Sequence, residues 1–226
     1  MTAKMFSRAA MLSAAITSLA SSAPADSSAN TFVTHPLVVE AVATPGATLL
    51  DFAGPAEVFG VLTGHAVEYL VSDRTTPFRL ENGVVVRPDY TFDDAPKPDV
   101  VIVGSQPARG SSKAMAWLRH IYAKGGTVMS VCTGADWLGQ SGLLDGRRAI
   151  THHNAIQRFQ AKYPTVKFVQ GKRFVESDPR LFTAGGYTAG LDLALHIVDT
   201  HFGRATADEV AHRLEYQGNG WITNVW

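Results

Sequence analysis

The sequence predicts an α/β protein: a doubly wound, mostly parallel sheet with helices on both faces. Short Val-rich runs, LVVEAVA (37–43), DVVIVGS (99–105) and TVMSV (127–131), have the continuous apolar character of strands buried on both sides. Segments with helical spacing of apolar residues alternate with them, as βαβ connections require. The 226 residues, 46% hydrophobic and 18% charged, suit one such domain with a sizeable core.

Taken in order, LVVEAVA is the first buried strand. In TPGATLLDFAGPAEVFGVL (44–62), Pro45-Gly46 marks a turn, and Pro55 fits the first turn of a helix reaching about Leu62. AVEYLVS (66–72) is a second strand, and FRLENGVVVRPDYTF (78–92) a hairpin turning at Asn82-Gly83. DVVIVGS is the third buried strand. Ser111 or Ser112 caps the helix KAMAWLRHIYAK (113–124), which Gly125-Gly126 ends. TVMSV is the fourth, followed by a short helix in TGADWLGQSG (133–142). A strand at RAITHH (148–153), a helix at NAIQRFQAKY (154–163) and a β-rich piece over 166–184 come next. Two helices finish the fold, TAGLDLALHIVDTHF (188–202) and ATADEVAHRLEY (205–216). Leu191, Ala194, Leu195, Val198 and Phe202 form one apolar stripe, which is core packing. The aromatic-ended tail GNGWITNVW (218–226) reads as a docking or dimer-interface segment.

Charge limits the function classes. Twenty Lys and Arg balance 20 Asp and Glu, and no basic stripe exists, so nucleic acid is not an expected partner. The N-terminus places Lys4 and Arg8 before the apolar run 9–20 and then Ala23-Pro24-Ala25, the pattern of a secretory signal peptide. The expected organisation is therefore a signal over 1–25, a polar linker over 26–36 and one domain over 37–226, with export to the periplasm or medium. Without Lys4 and Arg8, 18 basic groups face 20 acidic ones, and no charge-driven membrane recruitment is expected. The run is too short and too rich in Ser and Ala to span a bilayer, and no cysteine lies near the cleavage site, so no membrane anchor is expected.

Cys132 is the single cysteine, so it has no partner within the chain. It stands where the fourth strand passes into a helix, the geometry of a nucleophile elbow. At a helix N-terminus the dipole favours a thiolate, and a depressed pKa is expected. The small residues Thr133, Gly134 and Ala135 allow close backbone approach, and their N–H groups are candidate oxyanion donors. The competing reading is a buried structural thiol.

SVCTGADWLGQSGLLDGRRAITHH (130–153) resembles the nucleophile segment of the ThiJ/PfpI superfamily, which has a flavodoxin-like, glutamine-amidotransferase-like fold. The resemblance extends to LLDFAGPAEVFGVL (49–62) and to residues 182–216. Cys-Thr-Gly, with an Asp ahead of the first helix, is most similar to the isonitrile hydratase branch, which also resembles sensor halves of AraC-type regulators. The resemblance implies Cys132 as nucleophile, Asp51 as the acid that shuttles protons, and Thr133 as the residue whose N–H faces substrate. It also implies a homodimer acting on a small molecule. Asp51 otherwise reads as a helix cap.

Two departures bear on the pocket. The family's Pro-Gly-Gly-type loop after the third strand is replaced by IVGSQPARG (102–110), which keeps Gly104 but brings Ser105 and Gln106, whose amide is a candidate pocket group. In THHN, His152 and His153 follow the strand without the aromatic common there, and His152 is carried as a substrate-side candidate. No His-x-Glu pair exists for an amidotransferase triad, and Thr133 replaces the His that follows the nucleophile in protease and glyoxalase-like branches. No His-Glu-x-x-His, Gly-x-Gly-x-x-Gly or P-loop is present, so neither metal nor nucleotide cofactor is expected. Two alternatives to the hydratase are a glyoxalase- or deglycase-like lyase and a non-catalytic thiol that senses oxidants. A regulator is not expected, since the sequence to Trp226 includes no DNA-binding segment.

Overall fold

The computed structural model describes residues 36–62, 64–107 and 109–225. All but Pro36 of the expected signal and linker lies outside them.

Seven strands form the main sheet. They are β1 (Leu37–Val42), β2 (Ala66–Ser72), β5 (Tyr90–Thr91), β6 (Val100–Val103), β7 (Thr127–Val131), β10 (Phe174–Asp178) and β11 (Leu181–Ala184). Two short pairs lie outside it: β3 (Phe78–Arg79) with β4 (Val85–Val86), and β8 (Arg148–Ala149) with β9 (Lys167–Phe168). The spatial order is β10-β11-β7-β6-β1-β2-β5, parallel throughout except for β10 against β11. The five inner parallel strands thus run in the order second, first, third, fourth, fifth. This is the flavodoxin-like, doubly wound arrangement, with its switch point between β1 and β6.

Alternation along each strand feeds two cores. Val39 and Ala41 of β1, Ile102 of β6 and Met129 of β7 pack toward α1 (Leu49–Gly60), α5 (Ala189–Phe202) and α6 (Arg204–Arg213). Val42, Val101, Val103 and Val128 pack toward α2 (Ser112–Ala123), α3 (Ala135–Gln140) and α4 (Ile156–Lys162). Each fully buried Val, Ile or Met among these is worth roughly 1.5–3 kcal/mol.

Local differences from the sequence expectation have physical causes. Helix α1 starts at Leu49 behind the N-cap Thr48, six residues earlier than Pro55 suggested. Pro55 therefore sits inside the helix, where its missing N–H frees the carbonyl four residues back, that of Asp51. The hairpin is confined to Phe78–Val86, because Tyr90–Thr91 leaves it to extend the main sheet beside β2. RAITHH contributes only Arg148–Ala149 to a strand. Ser111 caps α2 by accepting the Ala114 N–H at 3.1 Å.

Part of the tail packs against its own chain, while Ile222 and Val225 stay about half exposed and Trp226 lies outside the described residues. The tail forms α7 (Gly220–Thr223), and Trp221 is 4% exposed in the core. Asn224 Oδ1 accepts the Phe174 N–H at 3.0 Å, and the Arg204 guanidinium lies 4.7 Å from the Trp221 ring. The indole has more apolar area to bury against its own chain than a solvated tail leaves it.

Candidate active site

Loops from the carboxyl ends of β1, β6, β7 and β11 converge at the switch point, bringing Asp51, Ser105, Cys132 and Gly185 together. Cys132 follows β7 directly and adopts φ +59°, a left-handed conformation rare for a residue with a Cβ. Such strain costs on the order of 1–3 kcal/mol and persists only where surroundings over-determine it. Both backbone groups of Cys132 are fixed: its N–H donates to Gly185 O at 2.5 Å, and its carbonyl accepts from Thr151 Oγ1 at 2.8 Å. The elbow is therefore clamped from β11 and from the segment after β8.

Two glycines let this turn close. A Cβ on Gly134 would lie 2.0 Å from Val103 O and 2.7 Å from Gly104 O. Gly134 thus seats the turn on the end of β6, facing protein backbone where the sequence suggested substrate. A Cβ on Gly104 would lie 2.9 Å from the Asp51 Cβ, so the glycine admits α1 to the sheet edge.

Asp51 belongs to the first turn of α1 and is fully buried. It is not the cap; that position is Thr48. Oδ2 accepts the Ser105 N–H at 3.1 Å. Oδ1 has no full hydrogen bond among the described residues. The Cys132 thiol and the Tyr187 N–H nevertheless bear on the carboxyl and favour its charged form. Burial outweighs these contacts and pushes the Asp51 pKa up to about 6.

The expected depression of the Cys132 pKa is overturned. Burial, reinforced by the neighbouring Asp51 charge, raises the thiol to about 12, against the opposing pull of the Thr133 N–H and hydroxyl. The helix dipole loses because the turn begins as a single 3-10 turn, Cys132–Gly134, followed by only six residues of α3. At neutral pH the pair is a thiol beside a carboxylate.

The other sequence candidates divide. Thr133 Oγ1 and Ser105 Oγ are 2.7 Å apart, joining the β6 and β7 loops across the site. The Gln106 amide is not free for a substrate. Its Oε1 accepts from Thr44 N at 2.9 Å and Thr44 Oγ1 at 2.8 Å, and its Nε2 donates to Val42 O at 2.9 Å and Gly104 O at 3.3 Å. Gln106 instead ties the end of β1 to the end of β6. The His152 Nδ1 accepts from the Asn154 N–H at 3.3 Å, and burial with the adjacent His153 lowers its pKa. Its ring lies 5.9 Å edge-on from Tyr187 and would meet a Cβ on Gly186 at 2.5 Å, so it supports the loop after β11.

Tyr187 was not singled out by sequence. It has φ +46°, is 45% exposed, and its phenol feels both Cys132 and Asp51, which raise its pKa. The available signal was its place after a strand, in Gly-Gly-Tyr-Thr. Arg173 and Asp192 anchor this loop: Arg173 Nε donates to the buried Asp192 Oδ2 at 2.6 Å, and Arg173 O accepts the Gly185 N–H at 2.9 Å. Among the described residues, no group of three or more His, Cys, Asp or Glu converges as a metal set would.

The sequence matches the DJ-1/PfpI family over residues 38–200. It is 36% identical over 176 residues to a protein named isonitrile hydratase from Pseudomonas putida, covering 76% of this chain and 75% of that one. It is 34% identical over 177 residues to the HTH-type transcriptional regulator CdhR from Pseudomonas aeruginosa, covering 75% of this chain but 52% of the regulator. A solved ThiJ/PfpI family protein from Pseudomonas syringae superposes with a TM-score of 0.67 at 26% identity, covering 89% of this chain and 85% of that one.

These matches correct the expectation of export. The segment behind it, 1–25, lies outside the described residues, the family match begins only at residue 38, and one relative is named for transcriptional regulation. A basic, Ala- and Ser-rich leader pattern is compositionally permissive, and nothing in the fold or the relatives supports secretion.

Proposed function

The chain belongs to the DJ-1/PfpI family, and on that premise we propose that it is a cysteine-dependent hydratase of small isonitriles. The observation that carries this reading is the buried pair of Cys132 and Asp51, a thiol held up near 12 beside a carboxyl near 6.

That pairing suits a reaction in which the proton moves as the sulfur attacks. Asp51 takes the Cys132 proton while Sγ bonds to the terminal carbon of R–N≡C. The proton passes from Asp51 to that carbon, giving the thioimidate R–N=CH–S–Cys132. Asp51, ionised again, draws a proton from water as the water oxygen bonds to the same carbon, and passes that proton to the nitrogen, giving R–NH–CH(OH)–S–Cys132. The C–S bond then breaks as the adduct's hydroxyl proton passes through Asp51 to the sulfur, and R–NH–CHO leaves. One water is consumed and no redox change occurs. A base poised near the working pH is the efficient one, and Asp51 near 6 fits. The Thr133 N–H and hydroxyl, which already favour negative charge on sulfur, stabilise the sulfur as the proton leaves. Cys132→Ala is expected to abolish formamide production from cyclohexyl isonitrile; a variant as fast as wild type would overturn the reading.

One observation favours a second reading, a ligand-binding domain without turnover: the similarity to CdhR covers 75% of this chain. Saturable isonitrile binding without formamide release would select it.

A further inference from the structure

A cavity of about 280 Å³ adjoins the elbow, lined by Gln106, Arg109, Thr133, Asp136, Arg158, Phe159 and Lys162 among others. It lies between the β6 loop, the elbow and α4. Thr133, the residue that follows the nucleophile and contacts its sulfur, lines the cavity, so the cavity adjoins the reacting centre.

The charge in this cavity is not balanced. Asp136 is its only carboxylate among the described residues. Its charge is already taken up: Lys162 Nζ lies 2.6 Å from Oδ1, the Tyr163 hydroxyl donates to Oδ1 at 2.8 Å, and Gln140 Nε2 donates to Oδ2 at 2.7 Å. Arg109 and Arg158 have no acidic partner among the described residues. Arg158 lies 5.2 Å from the Phe159 ring, and the Arg109 charge is felt by Tyr163. In a chain with equal numbers of acidic and basic residues, two unpaired guanidinium groups in one cavity are a local excess. The Gln106 amide, bound to backbone, leaves recognition to these cations.

We propose that this cavity is an anion subsite, and that the physiological substrate joins its electrophilic carbon to a carboxylate or phosphate held by Arg109 and Arg158. Guanidinium groups suit either anion because two parallel N–H donors match two oxygens. The proposal rests on the hydratase reading only for the identity of the electrophile.

Its test separates the two. Cys132 is alkylated with iodoacetate and with iodoacetamide, read by intact mass, in wild type and in R109Q/R158Q, at low and high salt. The iodoacetate-to-iodoacetamide rate ratio is expected to fall about tenfold in the variant, the scale of one charge-assisted hydrogen bond. It is also expected to fall in wild type at high salt, which needs no variant to fold. Inorganic phosphate and acetate, added separately, distinguish the two anions by which slows iodoacetate more. In parallel, kcat/KM is compared for isocyanoacetate and its methyl ester. An unchanged labelling ratio in both the variant and high salt overturns the subsite. No turnover of either isonitrile, with an Arg-dependent ratio intact, overturns the hydratase reading and leaves the subsite standing.

Discussion

Gly104 and Asp51 meet so closely that a Cβ at position 104 would lie 2.9 Å from the Asp51 Cβ and 3.2 Å from its carbonyl carbon. The carboxyl beside Cys132 is thus placed by a hydrogen at position 104. Gly104→Ala pushes the first turn of α1 off the β6 end, with an expected destabilisation of about 1–3 kcal/mol. The Asp51 position suffers more than the fold, so kcat is expected to drop by a larger factor than the melting shift accounts for. Thermal denaturation and kinetics on the same sample check this; a variant with wild-type kcat would show that the approach is incidental.

Asp51 has to be ionised to take the thiol proton, and its pKa is raised from 3.8 to about 6. Activity is expected to rise with pH through about 6 and then level. Asp51→Asn is expected to lose about 10²–10⁴-fold in kcat, the range for removing a general acid–base. The pH–rate profile decides it, since a limb near 4 would place Asp51 in solvent.

Cys132 is expected to react slowly with iodoacetamide at neutral pH and to quicken up to high pH, in line with a thiol near 12. Removing the Asp51 charge takes away one cause of that rise, so Asp51→Asn is expected to shift the labelling profile toward lower pH. A profile levelling below pH 8 in wild type would contradict the buried-thiol picture.

Glu40, in the middle of β1, is fully buried with neither carboxyl oxygen hydrogen-bonded among the described residues, and burial raises its pKa from 4.5 to about 8. The folded protein holds this proton where the unfolded chain releases it. Stability from Glu40 is therefore full below pH 4.5 and is lost as pH rises toward about 8. Glu40→Gln is expected to flatten that decline, seen in urea unfolding at pH 5 and pH 8; an equal decline in the variant would assign it elsewhere.

Much of the framework was legible from local pattern. AVEYLVS and TVMSV are strands over the residues read: TVMSV is buried along its whole length, whereas AVEYLVS, interrupted by Glu68, buries only its end at Val71 and Ser72. Ser111 announced its helix by capping chemistry that is local by nature. The start of α1 was not legible, since Pro55 is acceptable in a first turn and is tolerated here in the interior by packing.

At the site, sequence determined which residues follow the strand ends, Gly104, Ser105, Cys132 and Thr133, and singled out Asp51, which the structure places in the first turn of α1. What it could not determine was their electrostatics. The helix-terminus argument for a reactive thiolate was sound as local chemistry, yet burial and the Asp51 carboxyl, which lies 81 positions away in the chain, reverse its sign. The same holds for Gln106, whose amide turned from substrate to backbone, and for Tyr187, brought to the site by β11 and its loop. Local spacing fixes the backbone path because its causes lie within a few residues. Solvent access and neighbouring charge depend on long-range packing, and only the assembled sheet decides them.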